Sequence, residues 1–151
     1  IKNRNLSKLN DNLLLIYTGI RRTAQFVANT YVHRLKKDRK NDLEKIISFV
    51  NDAEKILQSN QLDDFGELLN ESWYYKRKLS NRITNNKINE LYDLSLKNGA
   101  TGGKLLGAGG GGFMLLYVKK NDRRKFLKKM KNIIEIPFKF SKTGTETILK
   151  R

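Results

Sequence analysis

The sequence contains no cysteine and a single histidine, His33, among its 151 residues. Without cysteine there can be no disulfide framework and no thiolate metal site, and one histidine cannot form an imidazole cluster. These absences favour a reducing compartment. No apolar run approaches the roughly 20 residues needed to cross a bilayer, and the stretch IKNRNLSKLND at 1–11 is too polar for a signal peptide. We therefore expect a cytoplasmic protein with no membrane partner.

Acidic residues are also few: the sequence has 15 Asp and Glu residues and 31 Lys and Arg residues, which gives a formal net charge of +16. A surplus of this size raises the question of a polyanionic partner. However, the basic residues are spread along the predicted helices, and the aromatic residues fall on helix stripes or in apolar strands, where they would not stack on exposed bases. We therefore do not expect a nucleic-acid partner. A non-enzymatic, basic nucleic-acid-binding α+β module stands as an alternative hypothesis.

Hydrophobic periodicity predicts an α+β fold in which helices pack on one face of a small antiparallel sheet. The apolar run LLLIY at 13–17 indicates a buried first strand. Proline occurs once, at Pro137, and its missing N–H places the last strand, 133–140, at a sheet edge or bulge. No internal repeat or linker is found, so residues 1–151 are expected to form a single domain. A chain of this length can bury about 68–70% of its unfolded surface.

Four helices are predicted between the first two strands, and a fifth precedes the last strand. Thr23 is the expected N-cap of the first helix, and Asn41 with Glu44 has the form of a capping box in the second. Asn98-Gly99 is the expected stop of the fourth helix. The remaining segments follow from their apolar stripes: helices over 63–79, 85–98 and 121–132, strands at 104–106 and 113–118, and a closing turn at 142–144.

Glycine is concentrated in GGKLLGAGGGGF at 102–113, directly before the apolar run that continues to Val118. Glycine in regular structure costs about 0.5–1 kcal/mol relative to alanine, so four in succession indicate a loop in which positive φ angles let N–H groups converge on an anion. Two phosphate-binding motifs do not fit. A Walker loop requires lysine after the glycines, whereas Lys104 precedes them, and a dinucleotide fingerprint must open a helix instead of a strand. A tight turn between two strands is the structural alternative.

This loop resembles the third conserved motif of the GHMP kinases, the superfamily of galactokinase, homoserine kinase and mevalonate kinase. The resemblance extends to LLLIYTGIRRTA at 13–24 and to WYYKRKLSNRITNNKINELYDLSLKNGATGG at 73–103. It is greatest to the sugar-phosphate branch that acts on D-glycero-D-manno-heptose 7-phosphate. The resemblance implies the ferredoxin-like α+β fold of the family's C-terminal lobe over the whole chain.

The same resemblance implies an ATP-dependent sugar kinase that phosphorylates the anomeric hydroxyl of a sugar phosphate, with D-glycero-D-manno-heptose 7-phosphate as the expected acceptor. A GHMP kinase of the galactose, fucose or mevalonate type is the alternative. ATP and Mg²⁺ are the implied cofactors. No PxGxGLSSS-like segment and no candidate for the family's catalytic aspartate occur in this sequence. We therefore expect the N-terminal lobe of the same polypeptide to be the missing partner and to hold most of the Mg²⁺ site, and we expect this chain alone to be inactive.

The resemblance assigns the ATP phosphates to six consecutive residues, Gly107, Ala108, Gly109, Gly110, Gly111 and Gly112. It also places a turn, Thr18-Gly19-Ile20-Arg21-Arg22, near the acceptor, because this turn is similar to the family's TGxxR segment. An arginine at a helix N-terminus can clamp a phosphate with two hydrogen bonds. The sequence leaves open which of Arg21 and Arg22 faces the site, and a solvent-facing pair is the alternative.

Two lysines are further candidates for contact with substrate or phosphate. Lys76 falls on a helical stripe with Leu69 and Trp73, where a buried ammonium needs an anion as partner or a route to water along its stem. Lys104 stands just before the glycines and could meet phosphate or the C-terminus of a helix. His33 is expected to be a surface residue. No catalytic residue and no metal ligand are assigned within this chain.

Overall fold

The structure is a computed structural model that describes residues 1–21, 23–32 and 39–141. Arg22, His33 and the closing turn predicted at 142–144 lie outside these residues. In chain order the elements are α1 (Asn3–Asn12), β1 (Leu13–Tyr17), α2 (Ala24–Ala28), α3 (Lys40–Gln58), α4 (Asp64–Lys78), α5 (Asn86–Lys97), β2 (Gly102–Leu105), β3 (Phe113–Tyr117), α6 (Lys120–Lys129) and β4 (Ile134–Glu135). None of the helices in these ranges is long and apolar enough to span a membrane.

The four strands form one antiparallel sheet in the order β2-β3-β1-β4. The pairing of β1 with β3 runs from Leu13 opposite Tyr117 to Tyr17 opposite Phe113. Both central strands are rich in leucine, isoleucine and aromatic residues, which pack well on a pleated surface. Because β1 and β3 are neighbours, the turn that follows β1 lies beside the loop that precedes β3.

The main core lies on one face of this sheet. Leu14 and Ile16 of β1 and Met114 and Leu116 of β3 alternate with residues of the opposite face, as strand geometry requires. They form one buried cluster with residues from four helices, including Val27, Trp73, Ile88, Tyr92 and Phe126. A smaller cluster on the opposite face contains Leu9, Leu13, Leu69 and Tyr117. The predicted α+β architecture of helices on a small antiparallel sheet is confirmed.

Several predicted element boundaries are confirmed, including Thr23 as the N-cap of α2, whereas the predicted capping box of the next helix is wrong. The Asn85 side chain accepts a hydrogen bond from the Ile88 N–H at 3.1 Å and caps α5. Helix α3 begins at Lys40 after Arg39, so the pair Asn41 and Glu44 does not form a capping box. Thr23 occupies the N-cap of α2 but makes no capping hydrogen bond with its side chain.

The last strand is shorter than predicted. Only Ile134–Glu135 pairs with β1, followed by one further hydrogen bond from Ile136 N to Leu15 O at 2.8 Å. Pro137 follows Ile136 at the sheet edge where the sequence placed it, and because the Ile136 N–H faces β1, the nitrogen of Pro137 faces away from β1 and its missing N–H costs no ladder hydrogen bond.

Helix α1 was not predicted, because two of its three buried positions are asparagine. Asn5, Leu9 and Asn12 are its buried residues. The Asn5 side chain donates to the carbonyls of Leu57 and Ser59 at the end of α3. The Asn12 side chain donates to the Tyr117 hydroxyl at 2.8 Å and accepts from the Lys120 N–H at 2.8 Å. Helix α1 is therefore held by hydrogen bonds that a hydrophobic pattern cannot reveal.

Helix α4 contacts strand β2 backbone to backbone through two glycines. A Cβ atom added at Gly102 would overlap the carbonyl oxygen of Gly66, and one added at Gly66 would overlap the Thr101 hydroxyl. Gly102 does not have a positive φ, so glycine is required there by space alone. This close approach fixes α4 against the sheet edge from which the glycine-rich loop departs.

We predict that Gly102→Ala lowers the free energy of unfolding by about 3 kcal/mol, because the added methyl group must push α4 away from β2. The matched control is Gly107→Ala, where no atom lies within 4 Å and only a φ of +66° opposes the substitution. It should cost about 1–2 kcal/mol. Urea unfolding of the two variants measures the difference, and equal losses would contradict a steric origin.

Candidate functional site

The glycine-rich loop, residues 106–112, joins the antiparallel strands β2 and β3 and forms a long hairpin loop. Leu106 N donates to Phe113 O at 2.8 Å and closes the loop at its base. Gly107, Gly109, Gly110 and Gly112 all have positive φ angles. Residues with a Cβ atom rarely adopt positive φ angles. The predicted need for glycine is therefore confirmed at these four positions.

Hydrogen bonds tie this loop to two distant segments. Gly112 N donates to Ile20 O at 2.9 Å, and Thr18 N donates to Gly112 O at 2.9 Å. Gly110 N donates to the carbonyl of Ile83, and a Cβ atom at Gly109 would lie 2.7–2.8 Å from atoms of Ile83. The loop therefore rests against the turn after β1 and the segment before α5, and no bulkier residue fits at Gly109.

Four amides of the loop are left without a partner. Within the described part of the chain, the N–H groups of Gly107, Ala108, Gly109 and Gly111 make no hydrogen bond. Gly109 and Gly111 are buried, and a buried amide without an acceptor costs free energy. These groups favour an acceptor from outside the chain.

A cavity of about 500 Å³ lies against this loop. Three of the four residues with unpaired amides line it, and Arg21 lines it too. The rings of Tyr17 and Phe113, 5.5 Å apart between centroids, form an apolar side. Unpaired amides with one arginine form a donor set suited to phosphate oxygens, so the residues present fit the triphosphate that the sequence predicts.

The turn at Thr18–Gly19 lies against the end of the glycine-rich loop. The Thr18 hydroxyl donates to Gly112 O at 2.9 Å, in parallel with the Thr18 N–H. Gly19 adopts a φ of +74° and turns the chain so that Arg21 reaches the cavity. Thr18 therefore acts as a link between turn and loop, and Arg21 is the member of the arginine pair that the described residues place at the cavity.

Lys76 contacts the loop backbone. Its ammonium donates to Leu105 O at 2.9 Å and to Gly107 O at 2.6 Å. These carbonyls flank the start of the loop. An ammonium that holds them orients the neighbouring peptide units and adds positive charge beside the unpaired amides. The predicted alternatives for Lys76 were a cleft anion or solvent, and the two carbonyl partners were not foreseen.

Lys104 lies apart from the loop cavity. It stands on the face of β2 opposite Leu105, with Leu115 as its neighbour across the ladder, and its ammonium donates to the Ser72 hydroxyl at 2.8 Å. It lines a separate cavity between α3 and α4. Burial lowers the pKa of the Lys104 ammonium from its usual value. The structure therefore does not bring Lys104 together with the other candidate residues.

A second cavity, of about 920 Å³, lies on another side of the loop, and its lining includes amide side chains that the sequence-based assignment of site residues missed. It contains Gly110 and Ile20 together with the segment between α4 and α5. The amide of Asn85 donates to Gly110 O at 3.2 Å and joins this lining to the loop. The available signal was the run NRITNN at 81–86, whose amides and arginine suit hydroxyl-rich ligands. Within the described ranges, no group of three His, Cys, Asp or Glu residues is placed to bind a metal ion.

Comparison with known proteins identifies the family. The model of the C-terminal region of the GHMP kinases matches residues 53–135, which include α4, α5, the loop and the strands on either side of it. The chain belongs to the GHMP kinase family. The family resemblance drawn from the sequence is thereby confirmed, and the fold agrees with that of other GHMP kinases.

Two curated relatives and one solved structure give the extent of the similarity. A D-glycero-alpha-D-manno-heptose 7-phosphate kinase of Campylobacter jejuni is 32% identical over 153 residues, covering 97% of this chain and 44% of the relative. A bifunctional fucokinase/GDP-fucose pyrophosphorylase of Arabidopsis thaliana is 29% identical, covering 82% of this chain and 12% of that protein. The mevalonate kinase of Methanococcus jannaschii superimposes with a TM-score of 0.71 at 24% identity, covering 90% of this chain and 42% of its own. The chain thus spans less than half the length of these GHMP kinases.

We predict that Lys76→Met loosens the loop. Loss of two charge-assisted hydrogen bonds should lower the free energy of unfolding by about 2 kcal/mol and accelerate amide hydrogen exchange across residues 106–112. Lys125→Met, at an exposed position of α6, is the control and should change stability by less than about 0.5 kcal/mol. Unchanged exchange in the loop of Lys76→Met would show that the loop does not depend on this lysine.

Proposed function

We propose that the whole protein to which this chain belongs is an ATP-dependent sugar kinase whose acceptor is D-glycero-D-manno-heptose 7-phosphate. One observation carries the kinase proposal: a loop with four unpaired amides lies against a cavity that also holds Arg21. The acceptor is proposed from the Campylobacter jejuni relative, which is named for this substrate and is similar along 97% of the chain. A fucose or other GHMP-type acceptor is the second candidate, because a fucokinase is also similar.

The loop would bind the phosphate tail of ATP through its backbone. Amides at Gly107, Ala108 and Gly111 can approach phosphate oxygens closely because few side chains intervene, and a preorganised set of donors stabilises negative charge without reorganising. ATP supplies the phosphoryl group, and Mg²⁺ bound to it supplies charge neutralisation. Holding the donor set in place would be the task of Lys76 and Thr18, which bind the two ends of the loop.

Arg21 would contact an anionic group of a substrate. Arg21 lines the loop cavity, and an arginine guanidinium can form two parallel hydrogen bonds with a phosphate. An acceptor that carries a phosphate far from its reacting hydroxyl would match an arginine on the turn side of the cavity. The amide-rich cavity around Asn81 and Asn85 lies close enough to the loop, through Gly110, to receive sugar hydroxyl groups.

The remaining lobe of the same polypeptide would complete the site. Phe113 and Leu106, at the base of the loop, are 43% and 37% exposed, and both line the loop cavity, so they leave an apolar surface beside it. We propose that the N-terminal lobe covers this region and supplies the catalytic aspartate and most of the Mg²⁺ ligands. Residues 1–151 alone would then lack kinase activity.

We predict that Gly110→Val in the full-length protein raises KM for ATP at least about tenfold and raises KM for the sugar phosphate by a much smaller factor. Gly110 has a φ of +69° and donates to Ile83 O, so a branched side chain would displace the amides around it. Lys125→Met should leave both constants unchanged. Parallel loss of ATP and sugar binding, with a lowered Tm, would indicate misfolding instead of a phosphate-loop defect.

The acceptor is tested with purified full-length protein, ATP and Mg²⁺. Turnover of D-glycero-D-manno-heptose 7-phosphate should exceed that of fucose, galactose and mevalonate in kcat/KM. A preference for fucose would support the second acceptor and leave the kinase proposal intact. Absence of turnover with every acceptor, together with no binding of ATP, would overturn the kinase proposal itself.

A further inference from the structure

An apolar cavity of about 740 Å³ lies between α3 and α4, away from the glycine-rich loop. Phe49 and Ala53 from α3 and Phe65 and Leu69 from α4 line it. Helix α3 is poorly buried for its composition, because Phe49 is its only buried residue among the described side chains and Val50, which also lines the cavity, is 68% exposed. The two helices therefore leave between them a groove with apolar walls and an open mouth.

A single lysine from the sheet contributes to this cavity. The Lys104 ammonium has three N–H donors, and the Ser72 hydroxyl, at 2.8 Å, is its only partner within the described part of the chain. No acidic side chain of the described residues pairs with Lys104. The cost of burying a charge without an anionic partner is large, and it is reflected in the lowered pKa of this lysine.

Two acidic residues lie in the cavity wall or next to Ser72 in the chain, and neither forms an ion pair with Lys104. Glu54 is the acidic residue of the cavity wall, and its carboxylate accepts a hydrogen bond from Gln58 at 3.0 Å. Glu71, beside Ser72 on α4, pairs with Lys45 at 3.3 Å. Within the described ranges, the cavity therefore combines largely apolar walls with an ammonium that forms no ion pair.

We propose that this cavity binds an amphipathic carboxylate, a free fatty acid of medium chain length, with its carboxylate on the Lys104 ammonium and the Ser72 hydroxyl. The acyl chain lies along the apolar sides of α3 and α4 and covers Val50. Charge complementarity selects a carboxylate over a neutral lipid, and the apolar walls select an acyl chain over a small hydrophilic anion. This binding site is independent of the loop cavity and of the proposed kinase activity.

The test is equilibrium binding of dodecanoate to the full-length protein by isothermal titration calorimetry, with dodecanol and acetate as matched probes. Dodecanoate should bind saturably, at least about tenfold more tightly than dodecanol, because of the charge-assisted hydrogen bonds. Acetate, which lacks the acyl chain, should show no binding in the same concentration range.

Two variants separate the parts of the site. Lys104→Met should weaken dodecanoate binding about tenfold and leave dodecanol unchanged, and it should fold normally because it removes a poorly solvated charge. Ala53→Phe should fill the cavity and abolish binding of both probes. Circular dichroism confirms that both variants are folded.

Three outcomes would overturn the proposal. Equal affinity for dodecanoate and dodecanol would show that Lys104 does not recognise the carboxylate. No binding by the full-length protein would show that another part of the polypeptide covers the cavity. A dimer that dissociates in Ala53→Phe, without fatty-acid binding by the original protein, would identify a second copy as the occupant.

Discussion

The hydrogen bonds between the turn after β1 and the end of the glycine-rich loop hold the candidate site together. Thr18 binds Gly112 O through both its N–H and its hydroxyl, and Gly112 N binds Ile20 O in return. These bonds depend on the register of β1 with β3, which places Tyr17 opposite Phe113. A slip of one residue would turn the buried side chains outward and separate turn from loop. Strand pairing therefore sets the geometry of the loop cavity.

Helix α4 imposes the second constraint, because three of its positions act on the same sheet edge. Gly66 lets the helix approach Gly102 backbone to backbone, Trp73 is fully buried in the main core, and Lys76 holds the carbonyls of Leu105 and Gly107. The first contact sets the distance of α4 from β2, and the second fixes its orientation. An ammonium on this helix then reaches the loop without further support. Helix α4 therefore contributes both to the packing of the core and to the conformation of the loop.

The sequence predicted those features that depend on local pattern or on a motif, and it missed those that depend on distant partners. Strand β1 and helices α4 and α5 follow from periodicity and, in α5, from the Asn85 cap. Helix α1 was missed because its anchors are asparagine side chains whose acceptors are far along the chain. The loop was located correctly, but its unpaired amides were not predictable, since Ile20 and Ile83 decide which of them are engaged. Lys76 and Lys104 looked alike in sequence and differ only through the faces on which α4 and β2 present them.

The pairing of the first strand with a late one has a consequence for how the chain folds. The contact between Asn12 and Tyr117 spans 105 residues, and the sheet cannot close until the ribosome has released β3. Helices α3, α4 and α5 depend on local contacts and can form early. Strand β1 cannot pair until its two neighbours in the sheet, β3 and β4, have been synthesised. During synthesis this apolar strand must remain without β3 until β3 emerges, and an unpaired apolar strand is prone to pairing with the wrong partner.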